Sequence, residues 1–265
     1  MASGKNSKAV RNARAAVVSK RSTPWGLIAT VLVVVVFAGA VFGYVYYQGK
    51  VKSDHLAALA PFTPSAQNRD PSQQIQGVQV IDYKGGQHVT PDQQVAYLHS
   101  PPFGGTHDGY WAACNGVVYP NPVRSENLVH SLEHGAVWIA YNPDQVTGSA
   151  LATLRAKVEG QPYTVMSPYP NLDSPISLQS WGHQLKLSDA GDIRIDQFVS
   201  ALRRNKYTHP EVGASCQALG PGEFDQDSPP PFQPAPPVSA VNGSSVRSEV
   251  EPGANGAAPD PTGTR

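Results

Sequence analysis

Only two cysteines, Cys114 and Cys216, occur among 265 residues, and their separation lacks the C-x-x-C spacing of a redox or metal-binding dithiol. The chain also has no internal repeat, no heptad pattern and no glycine-rich phosphate loop, which excludes a solenoid, a coiled coil and a P-loop nucleotide site. G-x-S-x-G is missing, so a serine nucleophile has no elbow to sit on. Acidic residues are absent from the first 24 positions, and charge of either sign is absent from Trp25 to Tyr47. A basic surplus is lacking where a globular domain is expected. From Gln76 to Phe224 there are 13 acidic against 9 basic residues, so the domain carries no electrostatic footprint for nucleic acid.

The uncharged stretch contains Val31-Leu-Val-Val-Val-Val-Phe37. At about 1.5 Å per residue its length matches a bilayer core of about 30 Å, which predicts a single transmembrane helix over 25–47. A cleaved signal peptide would have a shorter apolar region and small residues where Tyr44, Tyr46 and Tyr47 stand. Lys5, Lys8, Arg11, Arg14, Lys20 and Arg21 hold residues 1–24 in the cytoplasm by the positive-inside rule, and the bulk of the protein is expected outside the plasma membrane. Trp25 and the three tyrosines suit the two interfaces. Both cysteines then lie where the redox environment permits a disulfide, and they are expected to pair.

Residues 48–75, rich in Gln, Pro, Ser and Ala, read as a stalk. Residues 76–224 read as one α+β domain behind the anchor, a mixed sheet with two main helices. Val78 to Tyr83 suggests its first strand, Gly85-Gly86 a turn, and Ala136 to Tyr141 a buried central strand. Asn142-Pro-Asp144 reads as a helix start running to Gly160, Tyr163 to Met166 as a strand, and Ile176 to Leu187 as a hairpin about Trp181-Gly182. Ile195, Phe198, Val199 and Leu202 give the buried face of a helix over 192–205. From Asp225 to Arg265 prolines cluster and apolar residues thin out, the composition of a disordered tail.

Chemistry concentrates in His130-Ser-Leu-Glu-His-Gly135. Two histidines four apart converge on one ion if they lie on a helix, whereas on a strand they stand about 13 Å apart and cannot share it. Gly135 can close a helical turn before the strand. His107, in an aromatic-rich loop with Asp108, Tyr110 and Trp111, and His88 are candidates for a third ligand. Glu133 and Asp108 are candidate ligands or supports for an imidazole. Such a set takes zinc or copper. The competing reading keeps the histidines as hydrogen-bonding scaffold in a non-catalytic module that docks an envelope protein or cell-wall glycan. The same residues fit H-x-x-E-H, which would make Glu133 the general base and Glu211 a further ligand of a zinc hydrolase. Catalysis by that route needs a sustained helix, and Gly135 followed by an apolar strand argues against one.

Gln87-His-Val89, Pro101-Pro102 leading to His107, His130-Ser-Leu-Glu-His-Gly135, Tyr141-Asn-Pro143, Pro168-Tyr-Pro170 and Trp181-Gly182 together resemble an uncharacterised bacterial envelope family common in actinobacteria, domain of unknown function 3105. The likeness runs over about residues 78–211, and the family pattern has Ser-Gly where this chain has Gly104-Gly105. It implies a membrane-tethered extracytoplasmic domain and supplies no activity.

Overall fold

The computed structural model describes residues 23–250. The basic residues of 5–21 and the end of the proline-rich tail lie outside them. The described residues fall into two compact units that divide between Ala57 and Ala58. Helix α1, Trp25–Leu59, carries the first and is long and apolar enough to cross a membrane. It continues beyond Tyr47, so the first part of the expected stalk is helical. No proline interrupts it before Pro61.

The second unit is an α+β domain on a six-stranded mixed sheet. Its strands are β1 (Gln79–Val80), β5 (Asn115–Val118), β6 (Val137–Tyr141), β7 (Thr164–Pro168), β8 (Ile176–Ser180) and β9 (His183–Leu187), in the spatial order β1-β9-β8-β6-β7-β5. β7 runs parallel to β5 and β6, and the remaining pairs are antiparallel. The short strands β2 (His88–Val89) and β4 (His107–Asp108) pair in parallel outside this sheet, as do β3 (Gln94–Ala96) and β10 (Val246–Ser248).

Alternation along β6 divides the core. Val137, Ile139 and Tyr141 pack with Leu154 and Val158 of helix α3 (Gly148–Val158) and with Phe198 and Leu202 of helix α4 (Ile193–Leu202). Trp138 and Ala140 face the other way, onto Leu128, Val129 and Leu132 of helix α2 (Ser125–Glu133). A strand covered on both faces has no use for a polar side chain, which explains its unbroken apolar run. Trp138 is core, its indole N–H donating to Ser167 Oγ at 3.0 Å.

Several boundaries differ from the sequence reading. The helix expected at Asn142 starts at Gly148 instead, because the Asn142 side chain accepts the Asp144 N–H in a turn. Residues late in the expected stalk join the domain, since the side chain of Asp70 accepts from Ser72 N and meets His183 at 3.1 Å. Within the expected disordered tail, the described residues 225–250 carry structure. β10 pairs with β3, and buried Glu249 accepts from Tyr83 Oη and Leu98 N. Pairing with β3 supplies the backbone partners that the tail's composition cannot provide by itself.

Candidate metal centre

Helix α2 holds the centre together by reading the backbone of the loop opposite. Asn127 Nδ2 donates to Tyr110 O and Asn127 O accepts from Ala112 N. Ser131 Oγ donates to Ala112 O at 2.7 Å. Residues 127, 130 and 131 share one helix face, so the same face that fastens the loop also aims His130. At the loop's start, the β2–β4 register sets His88 directly opposite His107.

Three imidazoles are oriented in one way. The Nδ1 atoms of His107, His130 and His134 lie 2.7, 2.7 and 2.5 Å from the carbonyl oxygens of Gly105, Asp108 and Ser215. A carbonyl only accepts, so each Nδ1 carries a proton and Nε2 is the nitrogen left to bind a metal. This is how metal-binding histidines are commonly held. Burial pushes the His130 pKa down to about 3, helped by neighbouring His107 and His134, so this ring is neutral at physiological pH. Burial also lowers His134, against its contacts with Ser215 and Glu211.

Two of these Nε2 atoms, those of His107 and His134, meet carboxylates. His107 Nε2 stands 2.7 Å from Glu133 Oε2, with both side chains fully buried. Neither atom has a further hydrogen bond, and Glu133 Oε2 also lies 3.8 Å from His88 Nε2. Glu133 Oε1 accepts the Gly86 N–H at 2.6 Å. Burial alone would raise the Glu133 pKa, but the hydrogen bond and charge that His107 offers when its Nε2 is protonated, with the Gly86 amide, outweigh it and lower it. Two buried acceptors pressed together are unfavourable, so this contact takes either a proton on His107 Nε2 or a metal cation in its place.

One nitrogen or carboxylate oxygen from each of His88, His107, His130 and Glu133 lies within 4.8 Å of all the others. His88 forms the rim, its side chain 42 % exposed. His130, His134 and Glu211 make a second such group. His107 and His130 therefore come together with His88, while His134, whose ring centre is 4.6 Å from that of His130, turns to Glu211 at 3.1 Å. Asp108 contributes its carbonyl. Its carboxylate is occupied by Arg124 and the Tyr110 N–H. Glu133 lies among the potential ligands of the first group, anchored by Gly86, a position unlike that of a free general base. His209, whose Nδ1 contacts Glu133 O at 3.1 Å, and the Gly86 amide carry no sequence signal beyond a glycine turn and an isolated histidine.

Fold and centre define an α+β domain with a buried histidine–carboxylate cluster, behind a helix able to span a membrane. Residues 88–218 match the family described as a protein of unknown function, DUF3105. That span includes all six residues of the two groups and both cysteines. Neither the curated proteins nor the solved structures contain a match to the chain.

Proposed function

We propose that this chain is a single-pass bacterial envelope protein whose domain outside the plasma membrane binds one divalent transition-metal ion through His88, His107, His130 and Glu133. The observation that carries the reading is the convergence of one nitrogen from each of His88, His107 and His130 with a Glu133 oxygen, three of the four residues being buried. Three imidazole nitrogens and one carboxylate oxygen suit zinc or divalent copper better than calcium or magnesium, which favour all-oxygen shells. Metal–ligand bonds of about 2.0–2.2 Å fit within a cluster whose atoms span no more than 4.8 Å. The uncharged helix and the basic residues before it support the topology, and the disulfide between Cys114 and Cys216 suits an oxidising compartment.

The test is metal analysis and thermal unfolding of the full chain in detergent. One zinc or copper per chain is expected. Stabilisation should approach about 2.7 kcal/mol at a hundredfold excess of metal over Kd, and His107→Ala should abolish both effects. Wild-type protein that gains no stoichiometric metal and no stability on titration would leave the histidines as scaffold for a docking module.

A further inference from the structure

His130 belongs to both ligand groups but can serve only one ion at a time. Its Nδ1 is engaged with Asp108 O at 2.7 Å, leaving a single free nitrogen for either the buried group or the pair His134 and Glu211. The second group repeats the chemistry of the first. Ser215 O accepts from His134 Nδ1, and His134 Nε2 then faces a Glu211 oxygen at 3.1 Å. The two groups differ in access. Glu133 and His107 are fully buried, while the Glu211 side chain is 42 % exposed. Glu211 is also tied to the first centre through the chain, its N–H donating to Glu133 O at 3.2 Å.

We propose that His130, His134 and Glu211 form a second, alternative ligand set for the same divalent transition-metal cation, through which it passes between solvent and the buried set. This inference rests on the metal-binding reading above. Glu211 draws the cation from water, His134 and His130 take it up, and His130 then retains it as His107 and Glu133 replace the outer pair. No bond within the protein changes during this exchange. The arrangement suits a protein that receives and passes on metal, since a ligand shared between two sets lets an ion move without being released bare.

Zinc uptake by the metal-free full chain, followed by tryptophan fluorescence, and zinc loss to an excess of a coloured chelator test the path. Trp111 provides the signal, its ring centre lying 4.7 Å from that of His134. Glu211→Gln should still load one zinc at saturation, while uptake and release both slow about tenfold, the lower end of what a supporting group contributes at a metal site. Glu211→Asp should recover part of both rates. Equal slowing in both directions marks a group on the path, which a residue that merely supports the fold would not produce. Unchanged rates in Glu211→Gln overturn the proposal, as does reduced affinity with unchanged uptake, which would make Glu211 a permanent ligand. Two zinc ions held at once by wild type would overturn the alternation. A wild type that binds no zinc overturns the metal-binding reading itself.

Discussion

At the scale of single residues, the opposition of His107 and Glu133 makes an unusual demand on a variant. Glu133→Gln keeps an oxygen for the Gly86 N–H and gives the other position an amide N–H, which can donate to the His107 lone pair. The metal-free protein should therefore become more stable by about 1 kcal/mol, the cost of an unsatisfied buried polar atom, while metal binding is lost. Urea unfolding in the presence of a chelator reads the first effect and metal analysis the second. A destabilised Glu133→Gln would instead identify the pair as a structural ion pair with protonated His107. Gly85 supports the same carboxylate. A side chain there would put its Cβ 2.6 Å from Pro210 Cβ and against Glu133, so this glycine provides room as well as a turn. The spacing of His130 and His134 and the isolated His88 and His107 were legible as candidate ligands. The partner of each ring was not, because three of the orienting groups are backbone carbonyls, which any residue supplies.

At the scale of elements, legibility followed exposure pattern. The hairpin β8–β9, the strand β6 and helix α4 have apolar periods that match their packing, and Asp192 caps α4 at the expected boundary, its side chain accepting Arg194 N. Helix α2 has no solvent face to betray it. All nine of its residues are buried, and Asn127, Ser131 and Glu126 spend their polar groups on loop and strand backbone, so the sequence leaves helix and strand open for His130 to His134. The short turn Pro71–Gln74 was likewise assigned to a stalk. Its anchor gives a pH signature. Half-burial of Asp70 alone would raise its pKa, but bonds from His183, Ser72 and Gln73 prevail and hold the carboxyl well below the usual range. A lowered folded-state pKa contributes stability that is present above the unfolded value of about 3.9 and lost as pH falls through the folded one. Asp70→Asn should thus be less stable than wild type at neutral pH, and the gap should narrow only below about pH 4. Urea midpoints measured from pH 7 to pH 2 check this, and parallel curves would remove Asp70 from the account.

For the domain as a whole, the disulfide is the longest covalent constraint, closing 102 residues between Cys114 and Cys216. Pairing was legible from the cysteine count and the expected compartment, but its position relative to the centre was not. Cys114 ends the loop that supplies Gly105 O and Asp108 O to two imidazoles. Cys216 follows directly on Ser215, whose carbonyl orients the third, and Cys114 N donates to Cys216 O at 3.0 Å. The bridge therefore joins the two chain segments that aim His130 and His134, segments that no strand of the sheet connects directly. In the chain-entropy account, closing a loop of this length stabilises by roughly 4–5 kcal/mol. The double variant Cys114→Ala with Cys216→Ala should lose about that much in urea unfolding. Its effect on metal should depend on which ligand set is engaged. The buried set keeps His88, His107 and Glu133, which are held by the β2–β4 pairing and Gly86, and should still hold one ion per chain. The outer set depends on Ser215 and Glu211, just before Cys216, and should lose its geometry first. Equilibrium loading that survives while uptake slows, as in Glu211→Gln, is the outcome expected of a bridge that fixes the path more than the destination. Loss of loading with uptake unaffected would assign the bridge to the buried set instead.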